Sequence, residues 1–242
     1  MTKAKATSRS AAPVVDPEEE LMLPEAWRRR PWIPYLIIAA ILAVVIGSGL
    51  AMNQALQPAV PSQLAGCKTS SLVGPHAYVS RQPICILPGK RYTATIDTTQ
   101  GQIVIDLLPD YAPVTVNNFV VLAVNGYYNG LSFWDSQDWE VQGGDPLGTG
   151  RGGPGYDLPD ETTPMFNWTP GAVGMARVPG GPVNGSQFFI VKTQWPNGPP
   201  TQIYNRFGSV RSGLDKVSAL APGDRINTVT ITVSDIKASP SR

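Results

Sequence analysis

SFWDSQDWEVQGGDPLGTGRGGPGY, residues 132–156, sets two tryptophans, a phenylalanine and four acids (Asp135, Asp138, Glu140, Asp145) ahead of a glycine-rich run. The aromatics predict a pocket, and Gly143-Gly144-Asp145-Pro146 predicts a turn of fixed backbone. Gly148-Thr149-Gly150-Arg151-Gly152-Gly153 fits G-x-G-x-x-G, but a dinucleotide fingerprint needs a strand before it and a helix after it. Pro154, Gly155 and Pro159 follow, so no helix opens to aim amide groups at a pyrophosphate, and the run reads as a surface loop. The acids lack histidine and a fixed spacing, so a solvated loop is expected rather than a cation site.

Outward from this stretch the chain alternates. Tyr92–Thr98 and Gln102–Leu107, separated by Thr99-Gln100-Gly101, read as a hairpin. Residues 113–125 open on Pro113, repeat Val116, Phe119, Val120 and Ala123 at helical spacing, and stop at Gly126. Short strands are expected at Leu131–Phe133, Glu140–Gln142, Gly171–Ala176, Gln187–Val191, Phe207–Val210 and Arg225–Ile236. A second helix spans Ser212–Leu220, with Ser212 as its N-cap. The 24 glycines and 24 prolines supply the turns between them. The expected fold is mainly β, a closed eight-stranded antiparallel barrel capped by two helices.

The barrel domain occupies 90–242. Residues 1–30 carry six bases and five acids among Ala, Pro and Ser, and read as a disordered cytoplasmic tail. From Pro31 to Met52 there is no charge, and about 20 apolar helical residues cross a bilayer core. A single transmembrane helix is therefore expected at 31–52. Arg28, Arg29 and Arg30 hold its N-terminal side in the cytoplasm, so the domain lies outside, at the cell membrane. Residues 53–89 form a linker and a lead-in holding both cysteines, Cys67 and Cys85. In an oxidising compartment these are expected to pair. Leu64-Ala65-Gly66-Cys67 also resembles a lipoprotein cleavage box, but a polar, proline-containing stretch separates it from the apolar run. The net charge of +1 and the absence of a basic patch give no case for nucleic acid. His76, the only histidine, excludes a His-rich metal site and any His-based triad in 90–242. Asn167-Trp168-Thr169 and Asn184-Gly185-Ser186 match a glycosylation acceptor, a triplet common by chance.

GYYNGLSF (126–133), VQGGDPLGTGRGGPGY (141–156), PGAVGMAR (170–177), NGSQFFIVK (184–192) and RFGSV (206–210), in this order and spacing, resemble the cyclophilin family of peptidyl-prolyl isomerases. The resemblance runs from about Tyr92 to Ile236, and with the anchor it points to a bacterial, membrane-anchored member. It implies an enzyme with neither metal nor cofactor that acts on proline-containing peptides or unfolded exported proteins, expected to be a monomer. The X-Pro bond rotates over a barrier of about 20 kcal/mol, so the site must bind the twisted amide better than either planar form. An apolar pocket for the proline ring, hydrogen bonds to the flanking backbone and a cation or donor near the prolyl nitrogen would do this.

The resemblance carries roles onto single positions. Trp139 (phenylalanine in the family) and Phe189 fall at pocket aromatics. Gln142 matches a glutamine that contacts substrate backbone, Ala176 the alanine of the backbone-binding strand, and Gln187 the glutamine of NGSQFF. Trp195 resembles a tryptophan beside the pocket, and Tyr204 falls where the family has His or Tyr. The departures are larger. The family reads Phe-His-Arg where this chain has Phe133-Trp134-Asp135, and the loop to Gln142 is one residue short, so Trp134 or Asp135 falls in the slot of the catalytic arginine. Glu140 stands at an apolar pocket position, and Arg177 replaces an asparagine. Arg177 is therefore the candidate catalytic cation beside Gln142, either reaching into the pocket or paired with Glu140 or Asp135 at its rim. An isomerase with weakened activity is expected, and a non-catalytic, membrane-tethered module that binds proline-containing segments is the alternative.

Overall fold

Two strands, β3 (Lys90–Thr98) and β4 (Gly101–Leu107), organise the domain. Tyr92, Ala94, Ile96 and Thr98 face inward from β3, and Ile103, Ile105 and Leu107 from β4, the period of two that a half-buried hairpin requires. The two-residue connection Thr99-Gln100 is closed by Thr98 Oγ1 donating to Gly101 O at 2.6 Å.

The computed structural model describes residues 35–36, 38–43, 59–69, 72–74, 76–81, 83–161, 167–196 and 203–236. The chain divides into two units, Met1–Gln57 and Pro58–Arg242. In the first, Tyr35, Leu36, Ile38, Ile41 and Leu42 are helical and exposed. The rest of the expected 31–52 span, and the 1–30 tail, lie outside the described residues. Among the described residues no helix is long and apolar enough to cross a membrane.

In the second unit, β1 (Leu72–Gly74) and β2 (Ala77–Tyr78) form a small sheet. The main antiparallel sheet adds β5 (Asp135–Ser136), β6 (Glu140–Gly143), β7 (Asp157–Leu158), β8 (Ala172–Arg177), β9 (Val183–Val191), β10 (Arg206–Ser212) and β11 (Ile226–Asp235). Among the described residues it has nine strands, not eight, in the order β11-β3-β4-β10-β8-β9-β6-β5, with β7 also on β9. The expected closed barrel is not formed, because β11 and β5 at the two ends share no ladder. The segment expected to be a strand at Leu131–Phe133 forms one isolated bridge instead of a ladder, bonding to the turn before β11 and to that strand's first residue. Phe133 N–H donates to Asp224 O and Ile226 N–H to Leu131 O, both at 2.8 Å, with Ser132↔Arg225 the bridge between them.

Helix α1 (Pro113–Val124) packs inside the sheet and is buried on nearly every side. Its first free N–H groups are met from a distance: Glu161 accepts from Val114 N and Thr115 N, each at 2.8 Å, and from Thr115 Oγ1 at 2.6 Å. A carboxylate at a helix N-terminus also opposes the helix dipole favourably. The short helix α2 (Leu214–Ala219) starts after Gly213 at φ 89°, and Ser212 ends β10 instead of capping the helix.

The lead-in is part of the domain's core. Leu64, Cys67 and Tyr78 are buried in it, and Cys67 and Cys85 form the expected disulfide, with Cα atoms 5.3 Å apart. Asparagines of α1 and its C-cap hold the lead-in: Asn117 Oδ1 accepts from Cys85 N at 2.7 Å, and Asn125 Nδ2 donates to Cys67 O at 2.8 Å. Lipidation of Cys67 is incompatible with this bridge.

Candidate active site

The sheet has two faces, and β9 divides its side chains between them. Phe188 points inward, edge-on to Phe119, Tyr128 and Phe133. Its neighbour Phe189 points outward into a second aromatic group. There Phe189 lies 5.5 Å from Tyr204, 5.8 Å from Trp195 and 5.1 Å from Trp168, centroid to centroid. Trp139 closes the group at 4.6 Å from Trp195.

Strand pairing brings the polar residues to the same face. Gln142 of β6 lies opposite Phe189, and Gly174 of β8 lies on its other side. Gln187 is two residues earlier on β9, and its Nε2 donates to Gly152 O at 2.7 Å in the glycine-rich loop. Gln142, Gln187, Ala176, Arg177, Trp134 and Gly150 line one cleft of about 290 Å³. The structure thus gathers Trp139, Phe189, Trp195 and Tyr204 into one aromatic cluster, and Gln142, Ala176, Arg177 and Gln187 into the adjoining cleft.

The acids preceding the loop are not uniformly solvated as expected. Asp138 is exposed, but Asp145 is 1% exposed and organises the loop. Its carboxylate accepts from the backbone N–H groups of Leu147, Thr149 and Gly150 at 2.8, 2.7 and 2.5 Å. The 148–153 run forms no helix, as expected of a loop. Glu140 is 4% exposed, and its Oε1 accepts from Gln142 Nε2 at 2.7 Å. Burial pushes the Glu140 carboxyl up to about 7, with the Gln142 hydrogen bond pulling down and the Asp135 charge pushing up. Asp135 itself receives Gln137 Nε2 at 3.0 Å, and Gln137 Oε1 receives the Trp139 indole N–H at 3.1 Å, which orients that ring.

Arg177 pairs with neither Glu140 nor Asp135. Its Nη1 donates to Asp160 Oδ1 at 2.8 Å and Ile203 O at 2.9 Å, while Nε and Nη2 both donate to Gly181 O. The guanidinium is nearly buried and occupied along its length. Trp134 reaches the cleft from the other wall. Its six-membered ring lies on Gly150, where a Cβ would sit 2.8 Å from Cη2, so that glycine makes room for the indole. The Trp134 indole N–H is buried and meets no hydrogen-bond partner among the described residues.

Sequence reasoning missed Trp168, which packs behind Phe189. It fits because Gly174 has no side chain: a Cβ there would stand 2.6 Å from both Trp168 Cη2 and Phe189 Cζ. Arg206 helps to hold that segment, its Nη1 donating to Asn167 O at 3.0 Å. No local pattern signals a tryptophan so far along the chain from its partner. Asn184, within a glycosylation triplet, is used internally, its Oδ1 accepting from Ser186 N and Gln187 N at 2.9 Å.

Residues 93–238 match the family model described as cyclophilin type peptidyl-prolyl cis-trans isomerase/CLD. Among curated proteins, the human peptidyl-prolyl cis-trans isomerase-like 1 is 40% identical over 149 residues, covering 59% of this chain and 86% of that protein. The protein of the same name from Rhizopus delemar is 42% identical over 138 residues, covering 54% and 81%. Among solved structures, a cyclophilin type peptidyl-prolyl cis-trans isomerase of Cryptosporidium parvum superposes with a TM-score of 0.54 at 28% identity, covering 59% of this chain and 98% of that one. The same parasite protein was also crystallised in the presence of the dipeptide Ala-Pro, and there the TM-score is 0.53 at 29% identity, over 58% and 98%. A nine-stranded antiparallel sheet with an aromatic cluster and two glutamines on its outer face, matched by the family model over more than half of the chain, places this protein in the cyclophilin-type peptidyl-prolyl cis-trans isomerase family.

Proposed function

We propose that this chain is a bacterial, membrane-tethered peptidyl-prolyl cis–trans isomerase that acts, as a monomer, on X-Pro bonds of exported proteins while they fold outside the cytoplasm. The observation that carries the reading is the convergence of Gln142, Gln187 and Phe189 on one sheet face beside Trp139, Trp195 and Tyr204. The aromatic cluster offers an apolar seat for a proline ring, and the amides of Gln142 and Gln187 lie next to it to fix the flanking backbone. Catalysis then consists of holding the ring and the backbone while the amide turns, with no covalent step. The tether rests on the uncharged run Pro31–Met52 behind Arg28, Arg29 and Arg30, and on the exposed apolar side chains of its helical residues.

The donor toward the prolyl nitrogen is the weak part of the site. We assign the arginine slot to Trp134, which lines the cleft; its indole N–H, buried and without a partner among the described residues, becomes a neutral donor to substrate only if the ring turns it toward the cleft. Arg177 serves as the cation only if it leaves Asp160, Gly181 and Ile203. That commitment favours a second reading, a module that binds proline-containing segments without turning them over. Exchange NMR on a short peptide with one Ala-Pro bond, added to the full chain, tests both. Cis–trans exchange faster than in the free peptide, lost in Phe189→Ala, supports the isomerase. Shifted peptide signals at the uncatalysed exchange rate support the binding module. A further Arg177→Ala comparison separates the donors, since a loss of rate there assigns catalysis to the guanidinium and not to Trp134.

A further inference from the structure

Glu140 and Gln142 are alternate residues of β6 and share the outer face with Val191 and Phe189 of β9. The Glu140 carboxyl is buried, and Gln142 Nε2 donates to it at 2.7 Å. A carboxylate can only accept, whereas a carboxylic acid can also donate. While Glu140 is ionised, the Gln142 amide must therefore turn its NH₂ toward it. Once protonated, Glu140 can donate to the Gln142 oxygen, and the amide can turn its NH₂ toward the cleft. One proton separates the two arrangements.

We propose that Glu140 is a positioning residue of the isomerase: its proton decides which end of the Gln142 amide faces the substrate, and the protonated form is the productive one. This rests on the reading of the cleft as an X-Pro site. The twisted amide localises a lone pair on the prolyl nitrogen, so an anion beside it opposes the twist and a donor favours it. Among the described residues, the charged neighbours leave Glu140 without a counterion. Asp135 on β5 and Asp138 in the connecting turn are acids. Lys192, which follows Val191, directs Nζ to Ser136 Oγ at 2.9 Å and Gln137 O at 3.1 Å. Arg177 on β8 is held by Asp160, and Arg206 on β10 donates to Asn167 O. With burial, this sets the proton's release near neutral pH, at about 7.

The test compares the full chain with Glu140→Gln and Glu140→Met by exchange NMR on the same Ala-Pro peptide from pH 5.5 to 8.5, while following the Gln142 side-chain NH₂ resonances. In the wild type, turnover per bound peptide should fall roughly tenfold between pH 6 and pH 8, following the protonated fraction of one acid. Glu140→Gln, always neutral and still able to donate and accept, should lose that fall and exceed the wild type roughly tenfold at pH 8. Glu140→Met removes the partner and should also lose the pH dependence. The Gln142 NH₂ signals should titrate in the wild type alone. Superimposable pH profiles, with Gln142 signals that do not titrate, overturn the proposal. If no pH supports turnover, the isomerase reading fails; titration of Gln142 in the wild type and its loss in Glu140→Gln would still uphold the positioning role, and absence of that titration would overturn it.

Discussion

Replacing Glu140 by glutamine should stabilise the protein, and increasingly so as pH rises. The carboxyl is pushed from an ordinary 4.5 to about 7 in the folded chain, chiefly by burial. Between these values the folded state holds a proton that the unfolded state has released, so stability falls as pH rises through the window and levels off above it. At about 1.4 kcal/mol per pH unit, the full displacement corresponds to about 3 kcal/mol. With only 4% of the residue exposed, solvent screening takes little from this. Glutamine keeps the shape and the hydrogen bond to Gln142 but never ionises. Urea unfolding of both proteins at pH 4.5, 6, 7 and 8 should show the variant's advantage growing across the series and reaching about 3 kcal/mol at the top, with slopes unchanged. In heat denaturation the same gain appears as roughly 6–12 °C at pH 8. An advantage that stays constant with pH, or that shrinks as pH rises, would refute burial of an ionisable carboxyl at this site.

Reduction of Cys67–Cys85 opens a loop of 18 residues and should cost about 3 kcal/mol, read as a lower urea midpoint in dithiothreitol or in a Cys67→Ser/Cys85→Ser chain. Glu161→Ala strips three hydrogen bonds from the start of α1 and should destabilise by roughly 2 kcal/mol, whereas a solvated Glu161 would give almost no change. Gly174→Val forces Trp168 off Phe189, so it should cost about 1–3 kcal/mol and shift tryptophan fluorescence to the red; unchanged emission would count against the packing described. Trp134→Arg returns a charged donor to the cleft wall and should raise the isomerisation rate about 10²-fold in the exchange assay, while an unaltered rate would mean that the slot lies elsewhere.

The parts of this fold that the sequence shows are those governed by nearest-neighbour periodicity. The β3–β4 hairpin reads directly from Tyr92, Ala94, Ile96 and Ile103, Ile105, Leu107. Helix α1 reads from Pro113 and the spacing of its apolar residues. What cannot be read locally is which backbone groups find which partners. Leu131–Phe133 has the composition of a strand, yet it meets the turn at Gly223-Asp224 and the first residue of β11 through a single bridge and not a ladder, so the sheet does not close. Glu161 looks like a solvated loop acid, and only the folded chain brings it to the start of a helix 46 residues earlier.

The same distinction runs through the site. Phe188 and Phe189 are adjacent and chemically identical, and strand alternation alone sends one to the core and the other to the aromatic cluster. Gln142, Gln187 and Phe189 are thus legible together, because residues two apart or directly paired across strands must share a face. The residues that set their chemistry come from loops and from beyond the motifs. Trp168 depends on a glycine six residues away on β8, and Asp145 depends on amides of its own loop. The lead-in takes part too, because Tyr78 N–H donates to Pro154 O at 2.8 Å at the far end of that loop. The loop carrying Gly150, against which Trp134 rests, is therefore held at one end by Asp145 and at the other by the lead-in, which the Cys67–Cys85 disulfide closes on itself and Asn117 and Asn125 tie to α1. Periodicity shows the surface on which a proline would sit. The shape and charge around it come from long-range contacts, and the departures at Trp134, Glu140 and Arg177 fall there.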